Sequence, residues 1–298
     1  MLKTPIAFLI FRRPDLTAKV FEAIRQVQPR QLFIVADGAR NEAEDILCQQ
    51  ARAVTEVINW DCEVFRNYSD KNLGCRKRVS SGLDWVFSQV EEAIILEDDC
   101  LPHLSFFDYC QNLLEYYRED QRIMGISGNN FQDGKHRNEY SYYFSKYSHC
   151  WGWATWRRAW KYWDCSPAKW IEFRKMGLLR IICEDSYEHK YWEMIFDEIF
   201  LKGKPDTWDY IWTFTCWSQG GLTILPNVNL VSNIGFGKDA THTHKESHFA
   251  NMKPNEIISI KHPPFMISNL EADNYTYRKH YASKFQLIKK LIKSKLKK

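Results

Sequence analysis

Three adjacent carboxylates, Glu97, Asp98 and Asp99, directly follow a short apolar run at residues 93–96. The run has the length and the β-branching of a buried strand, and a buried parallel strand presents its carboxyl end to a ligand crevice. Three neighbouring acids repel one another unless a cation neutralises them, and Mg²⁺ or Mn²⁺ does so by taking one or two carboxylates together with phosphate oxygens. The pattern therefore predicts a site for a divalent cation and a diphosphate. The alternative is a solvated acidic loop.

Two further polar segments are predicted at or near strand ends. Asp37 follows the second predicted strand, where its carboxylate can accept a hydrogen bond from a ribose hydroxyl or a base amide, or can form an ordinary Asp-Gly turn. Asn72 precedes a predicted helix whose first turn carries Arg76 and Lys77, and these cations either face a phosphate or are solvated. The sequence has neither of the patterns GxxxxGK[ST] and GxGxxG, so a nucleotide would be held largely through a metal.

Strands alternate with helical patterns along the first part of the chain, which predicts an α/β fold with a mainly parallel sheet and crossover helices. Strands are predicted at 5–11, 31–36, 62–66, 93–96 and 123–128, and helices at 16–27, 42–58, 75–90 and 108–118. From about residue 129 the sequence is less regular and richer in Trp and Tyr.

The composition excludes several classes of protein. The 298 residues contain no run near the roughly 18–20 apolar residues of a membrane span, and the N-terminus shows no signal-peptide pattern. Nine cysteines without a CxxC pair indicate neither a disulfide framework nor a cysteine-based zinc site. This use of cysteine is typical of a reducing compartment and predicts a cytoplasmic location.

The net charge of +4 depends on seven lysines at residues 284–298. The rest of the chain is therefore acidic, and nucleic-acid binding is not expected.

The lysine-rich C-terminal segment has a helical repeat of apolar residues. One face carries Phe285, Ile288, Leu291, Ile292 and Leu296, and lysines occupy much of the remainder. This pattern predicts an amphipathic helix on an anionic membrane surface. The alternatives are a solvated helix docked on its own domain and a frayed end.

In their order and spacing, several segments resemble the nucleotide-sugar half of a GT-A glycosyltransferase of the broad family 2 type. Phe-Arg-Arg-Pro at 11–14, Val-Ala-Asp-Gly at 35–38 and Asn-Leu-Gly at 72–74 resemble its first-strand turn, its uridine-contacting turn and its pre-helix loop. The three acids at 97–99 resemble the metal-binding DXD position, in a form closest to the N-acetylglucosaminyltransferase I type. The resemblance covers most of residues 1–245.

The resemblance implies a GT-A (Rossmann-like), mixed and mainly parallel sheet flanked by helices, with an irregular, Trp-rich acceptor half. Residues 1–128 would form the nucleotide-sugar-binding half, residues 129–250 the acceptor-binding and catalytic half of the same domain, and residues 251–298 a C-terminal extension with the basic tail. The implied activity is a metal-dependent, inverting transfer from a UDP-sugar to a glycan or lipid-linked acceptor in surface polysaccharide synthesis. The tail would then hold the enzyme at the inner face of the plasma membrane.

The resemblance also implies roles for the acids. Asp99 would be the direct ligand of Mn²⁺ (or Mg²⁺), Asp98 would lie near the ribose or the donor sugar, and Glu97 would support them. Asp209 would deprotonate the acceptor hydroxyl, with Asp206 as its rival. A helix-capping or salt-bridged Asp209 is the alternative.

Further residues follow from the same resemblance. Arg12, in the first-strand turn, would contact the nucleotide-sugar. His242, or as second choice His244, would reach the metal, and an imidazole ligand favours manganese over magnesium. Trp153 would line the donor-sugar and acceptor pocket, although tryptophans at 151–156 can equally fill the core.

Two other functions use similar residues. A sugar-phosphate nucleotidyltransferase places acids at a strand end, but it usually has a Gly-rich, basic loop before the first helix, and residues 11–14 are not such a loop.

A catalytically silent carbohydrate-binding protein of the same fold is the third hypothesis. Retaining three acids in a crevice without a metal would be costly, which argues against it.

Overall fold

A computed structural model describes residues 1–236 and 249–281 of the chain. Its strands are β1 (Ile6–Ile10), β2 (Gln31–Ala36), β3 (Glu63–Tyr68), β4 (Glu92–Glu97), β5 (Cys100–Pro102), β6 (Ile123–Ser127), β7 (Tyr142–Ser145), β8 (Trp153–Trp156), β9 (Leu222–Pro226) and β10 (Val231–Asn233). Its α-helices are α1 (Pro14–Val27), α2 (Glu42–Val54), α3 (Cys75–Gln89), α4 (Ser105–Tyr116), α5 (Arg157–Trp160), α6 (Pro167–Lys175), α7 (Leu179–Ile182), α8 (Ser186–Phe196), α9 (Asp209–Ser218) and α10 (Leu270–Thr276). Short π-helical segments, Asp197–Leu201 and Tyr277–Tyr281, continue α8 and α10.

Within the described residues, eight strands form one sheet in the order β3-β2-β1-β4-β8-β6-β9-β7. Strands β1 to β4, β6 and β9 run in one direction, whereas β8 and β7 run against their neighbours. A separate antiparallel pair joins β5 to β10. The expected mixed, mainly parallel sheet flanked by helices is confirmed, and the sheet extends across both halves of the chain.

The central strands are apolar on both faces because helices cover both sides of the sheet. Every residue of β1 is buried, and alternate side chains enter different cores. Phe8 packs in the core that contains residues of α1 and α4, whereas Leu9 packs in the core that contains residues of α3 and α9. This two-sided packing fixes the register of β1 beside β4, since a shift of one residue would exchange the two faces.

The second half of the chain adds an aromatic layer next to the sheet. Helices α6 to α9 share a core of large aromatic side chains, including Trp170, Trp192, Phe196, Phe214 and Trp217. Helix α10 packs against the β7 edge, where Ala272 meets Tyr143 and Leu225. The sequence patterns did not predict β5, β7 to β10 or helices α5 to α10.

The predicted amphipathic segment at 284–298 lies outside the described residues. Across 1–236 and 249–281, none of the helices combines the length and the apolar character that a bilayer crossing would need.

Candidate functional site

The three acids lie where the strand order of the sheet reverses. From β1 the chain passes through α1 to β2 on one side, while β4 lies on the other side of β1, with Leu9 opposite Glu97. In an open parallel sheet this point leaves a crevice outside the carboxyl ends of the two strands. The residues that follow β1 and β4 therefore face each other across the crevice.

Arg13 supplies the positive charge in this crevice. Its guanidinium donates to Asp98, and its Nη1 donates to Oδ2 of Asp99 at 2.9 Å. The buried Asp98 also accepts the backbone N–H of Phe11 at 3.1 Å. Burial alone would lower the pKa of Arg13, but the two aspartates more than offset this and raise it well above its usual value. Arg13 is thus a permanent cation held between two acids.

The neighbouring Arg12 has a different partner. Its Nη1 lies 3.0 Å from Glu44 Oε1 of α2, and Arg40 binds the same carboxylate. The predicted contact of Arg12 with the nucleotide-sugar stays a prediction. Arg13 was not among the predicted site residues, although it pairs with two of the acids. Pro14 could have indicated the difference, because proline as the first helical residue leaves Arg13 as the helix N-cap at the end of the crevice.

Glu97 is the last residue of β4 and keeps part of its surface exposed. Burial, followed by the charges of Asp99, Asp98 and Asp209, raises the pKa of Glu97 to about 8, and the positive charge of Arg13 opposes this rise only in part. In the described part of the chain no basic side chain forms an ion pair with Glu97. Glu97 is therefore the acid of the triplet whose negative charge these residues compensate least, and a bound cation would supply the missing positive charge.

Asp37 joins the end of β2 to the loop before α3. Its carboxylate accepts from the backbone N–H groups of Gly38 and Leu73 at 2.9 Å, from that of Gly74 at 3.1 Å, and from the side-chain amide of Asn72 at 3.1 Å. A carboxylate can accept about four hydrogen bonds, so these four donors occupy the Asp37 carboxylate fully. Asp37 and Asn72 therefore shape the loop at residues 72–74, and direct contact of either with a nucleotide stays a prediction.

Arg76 connects the start of α3 to the segment before α9. Its Nη2 donates to the Pro205 carbonyl at 2.9 Å and its Nε to the Thr207 carbonyl at 3.3 Å. Lys77 is exposed. Arg76 thus positions the segment that leads into Asp209, while the predicted phosphate contacts of both cations remain untested.

Asp209 is brought to the acids by α9, of which it is the first residue. The hydroxyl of Thr207 donates a hydrogen bond to Asp209 Oδ1, and Asp209 lies close enough to Glu97 to affect its pKa. Its rival Asp206 lies over the start of α3, where a Cβ on Gly74 would overlap the Asp206 carboxylate. Both candidate bases thus belong to the second half of the chain and lie near groups of the first half, Asp209 near Glu97 and Asp206 near Gly74.

Several side chains near Asp209 were not predicted as site residues. Burial strongly raises the pKa values of Cys75, Cys150, Tyr210 and Tyr281, and the negative charge of Asp209 raises each of them further. The raised pKa values keep these thiols and phenols neutral, so the surroundings of Asp209 include uncharged side chains.

Trp153 lies in the core of the protein. It is 2% exposed and stacks on Trp208 with ring centroids 5.3 Å apart, and Trp212 and Trp160 complete the cluster. Its burial favours the core alternative over the predicted pocket-lining role. Because Trp208 directly precedes Asp209, the stack holds the N-terminus of α9 in place.

The segment that follows β10 packs against Asp99. The Ile234 N–H donates to the Asp99 carbonyl at 2.8 Å, and a Cβ on Gly235 would lie 2.6 Å from the Asp99 Cβ. The predicted metal ligand His242, like its alternative His244, lies outside the described residues.

The carboxylates at the end of β4 are suited to a cation that is bound by phosphate oxygens as well. Asp99 and Glu97 offer hard carboxylate oxygens, although Arg13 already uses one oxygen of Asp99. Among the described residues there is no group of three or more His, Cys, Asp or Glu side chains that could hold a metal ion. A protein cage is therefore not formed by these residues, whereas Mg²⁺ or Mn²⁺ needs only one or two carboxylates when phosphates and water complete the shell.

No protein-family model matches the chain, and no curated protein matches it either. Among solved structures, it is similar to 4-diphosphocytidyl-2C-methyl-D-erythritol synthase from Anaerococcus prevotii, at 10% identity and a TM-score of 0.32 over 52% of this chain and 72% of that one. A galactosyltransferase in complex with donor and acceptor sugar analogues shares 12% identity, with a TM-score of 0.34 over 58% of this chain and 65% of the other. A UDP-glucose pyrophosphorylase complexed with UDP-glucose shares 11%, with a TM-score of 0.27 over 54% and 71%. Likenesses of this extent carry no functional conclusion.

Proposed function

We propose that this protein is a metal-dependent, inverting glycosyltransferase that uses a UDP-sugar donor. The observation that carries the proposal is the meeting of two sets of groups in one crevice. The acids at 97–99 and Arg13 lie at the point where the strand order reverses, and Asp209 approaches them from α9. Charge-balancing groups for a diphosphate thus lie beside a carboxylate that can accept a proton.

The donor side would bind the diphosphate by charge. Asp99, supported by Glu97, would hold Mn²⁺ or Mg²⁺, and such a cation neutralises charge on the leaving diphosphate. Arg13 would share this role, because its guanidinium is fixed against both aspartates and cannot lose its charge. The loop at 72–74, shaped by Asp37, would contact the nucleoside.

The acceptor side would supply the base. An acceptor hydroxyl attacks the anomeric carbon as the bond from that carbon to the diphosphate breaks, and the hydroxyl proton moves to Asp209 while UDP leaves. Thr207 orients the Asp209 carboxylate by donating to one of its oxygens, and the other oxygen would take the proton. The uncharged side chains near Asp209, which include Cys150, Tyr210 and Tyr281, would suit a glycan or lipid-linked acceptor, in keeping with cytoplasmic synthesis of a surface polysaccharide.

The test is calorimetric titration of the purified protein with UDP, with and without Mn²⁺, followed by a panel of UDP- and GDP-sugars. We expect binding that requires the metal and one preferred UDP-sugar. Asp99→Ala should lose metal-dependent UDP binding and keep the fold. Absence of UDP binding under both conditions contradicts the proposal, and pyrophosphate release from UTP and a sugar 1-phosphate would instead indicate a nucleotidyltransferase.

A matched pair of variants tests the base. Asp209→Asn should bind UDP with wild-type affinity and lose transfer by at least about a hundredfold, because general base catalysis commonly contributes that much. Asp206→Asn is the control and should keep most of the transfer activity. Loss of UDP affinity in Asp209→Asn, or a larger loss of transfer in Asp206→Asn, would remove Asp209 from this role.

A further inference from the structure

A loop at residues 203–208 carries the chain from the helical residues after α8 to Asp209, the first residue of α9. These residues belong to neither a helix nor a strand, and residues 203–206 are exposed. Backbone in such a loop opens readily, because few buried contacts hold it. The position of the proposed base therefore depends on the contacts that this loop makes with the rest of the protein.

Arg76 makes two of these contacts from the donor half of the chain. Its Nη2 donates to the Pro205 carbonyl at 2.9 Å, and its Nε donates to the Thr207 carbonyl at 3.3 Å. The guanidinium is planar and keeps its N–H groups in a fixed arrangement, so one side chain holds both carbonyls in a defined orientation. Arg76 is the second residue of α3, a 15-residue helix whose buried face packs on the sheet. The loop is therefore anchored to a helix that the sheet holds in place.

The backbone at Gly74 adds a third contact between the start of α3 and the loop. A Cβ at Gly74 would lie 2.4 Å from Oδ2 of Asp206, so the absence of a side chain allows the Asp206 carboxylate to lie this close. The Gly74 N–H in turn donates to the Asp37 carboxylate at 3.1 Å. The loop at 203–208 thus packs against the residues at 72–76, whose conformation Asp37 helps to determine.

Thr207 joins the contacts of Arg76 to the proposed base. Its carbonyl accepts from Arg76 Nε, while its hydroxyl donates to Oδ1 of Asp209. A displacement of Thr207 would therefore move the hydroxyl that orients the Asp209 carboxylate. Misplacing a reacting group by about 1 Å can lower a rate about a hundredfold. Arg76, Thr207 and Asp209 thus form one connected set of hydrogen bonds between α3 and α9.

We infer that Arg76 is a positioning residue of the transfer reaction, which acts on Asp209 through Thr207 and does not bind the donor phosphates. This role rests on the proposed function, since it assumes that Asp209 is the base. Nε and Nη2 form one edge of the guanidinium, and both are bonded to carbonyls of the loop. A residue that acts in this way changes the rate of the chemical step and leaves UDP affinity unchanged, whereas loss of a phosphate ligand would weaken UDP binding.

The first test is hydrogen exchange of the nucleotide-free protein, followed by mass spectrometry. Arg76→Met keeps the length of the side chain and removes its donors. We expect the amides of residues 206–209 to exchange about tenfold faster in this variant, because two hydrogen bonds that hold the loop are lost. Peptides from β1 and β4 should exchange as in the wild type, which would show that the fold is kept. Wild-type exchange of residues 206–209 in Arg76→Met would overturn the inference.

Arg25→Met is the matched control for this measurement. Arg25 is an arginine of α1 whose side chain donates to Glu22 of the same helix. Its replacement should leave the exchange of residues 206–209 unchanged. Faster exchange there in Arg25→Met as well would show that a loss of surface charge, and not the contacts of Arg76, loosens the loop, and the inference would then be wrong.

The second test separates turnover from donor binding. Turnover is measured as UDP released from the UDP-sugar that the wild type prefers, and UDP affinity is measured by calorimetry with Mn²⁺. Arg76→Met should lower turnover by at least about tenfold and bind UDP with wild-type affinity. Arg76→Lys should regain part of the turnover, because an ammonium group can still donate to one of the carbonyls. Weaker UDP binding by Arg76→Met that Arg76→Lys restores would assign Arg76 to the donor phosphates and contradict the inference.

A double variant tests whether Arg76 acts through Thr207. Thr207→Val keeps the shape of the side chain and removes the hydroxyl that donates to Asp209. Arg76→Met/Thr207→Val should lose about as much turnover as the more impaired single variant, since both changes break one connected set of hydrogen bonds. Losses that multiply would show independent roles and count against the inference. A wild type that releases no UDP contradicts the proposed function instead, and the exchange experiment still decides whether Arg76 fixes the loop.

Discussion

At the scale of single residues, Arg13 compensates the negative charge of Asp98 and Asp99 in the crevice. Asp98 is buried, so its charge needs a partner inside the protein, and the guanidinium of Arg13 is that partner. The same guanidinium reaches Asp99, the proposed metal ligand. Arg13 therefore has a structural role at Asp98 and an electrostatic role at the proposed diphosphate site.

Arg13→Gln should lower the free energy of unfolding by about 3 kcal/mol, since removing one partner of a buried pair leaves the other charge uncompensated. Urea denaturation measures this change. Arg12→Gln is the matched control and should cost less than about 1 kcal/mol, because Glu44 keeps Arg40 as a partner.

Mn²⁺ should raise the melting temperature of Arg13→Gln more than that of the wild type. The cation would replace part of the positive charge that the substitution removes from Asp98 and Asp99. Differential scanning calorimetry with and without Mn²⁺ measures both shifts. Equal shifts in the two proteins would show that the cation binds away from this pair.

At the scale of elements, the crevice depends on segments that cross between the two halves of the chain. Strand β10 pairs with β5 directly after the acids, and Gly235 then lies against Asp99. Arg76 links α3 to the segment that precedes α9. Residues distant in sequence thus fix the position of each acid.

Gly235→Ala should lower the affinity for UDP in the presence of Mn²⁺ by about tenfold, a typical cost of disturbing the surroundings of a metal ligand. The added methyl overlaps Asp99, so either the carboxylate or residues 234–236 must move. Gly125→Ala is the control, because a Cβ there meets its nearest neighbour at an ordinary 3.8 Å. Calorimetric titration of both variants measures the difference. Wild-type affinity in Gly235→Ala would place the cation away from Asp99.

At the scale of the whole molecule, the aromatic layer of the second half holds ionisable groups in an apolar setting. His149 is buried and packs against Phe131 with ring centroids 4.5 Å apart. Burial, and to a smaller extent the charge of His280, lowers the pKa of His149 to about 3. The folded protein therefore keeps this imidazole neutral under conditions in which the unfolded chain protonates it.

The stability of the protein should fall as the pH falls below the unfolded value of 6.5 for His149. Because the unfolded chain binds the proton and the folded protein does not, the loss from pH 7.5 to pH 5.5 is about 1.4 kcal/mol and continues towards pH 3. His149→Phe should remove this part of the pH dependence. Urea denaturation at both pH values tests it, and an unchanged loss in the variant would assign the effect to other groups.

The sequence by itself determined the first half of the fold and the position of its acids. Apolar runs of strand length and helical repeats predict β1 to β4 and α1 to α3 within a few residues, because each of these elements is specified by its own periodicity. The acids at 97–99 are predicted at a strand end for the same reason. Helix α2 is shorter than predicted, since it ends at Val54 instead of residue 58.

Only the tertiary structure decided which side chains meet in the crevice. The different partners of Arg12 and Arg13, the burial of Trp153 and the position of Asp209 near Glu97 and Cys150 all depend on contacts between segments far apart in the chain. Local periodicity carries no information about such contacts, because they arise when the layers pack and the hydrogen bonds of buried groups are satisfied. Residue types therefore predict a kind of chemistry, whereas packing decides which side chains lie together.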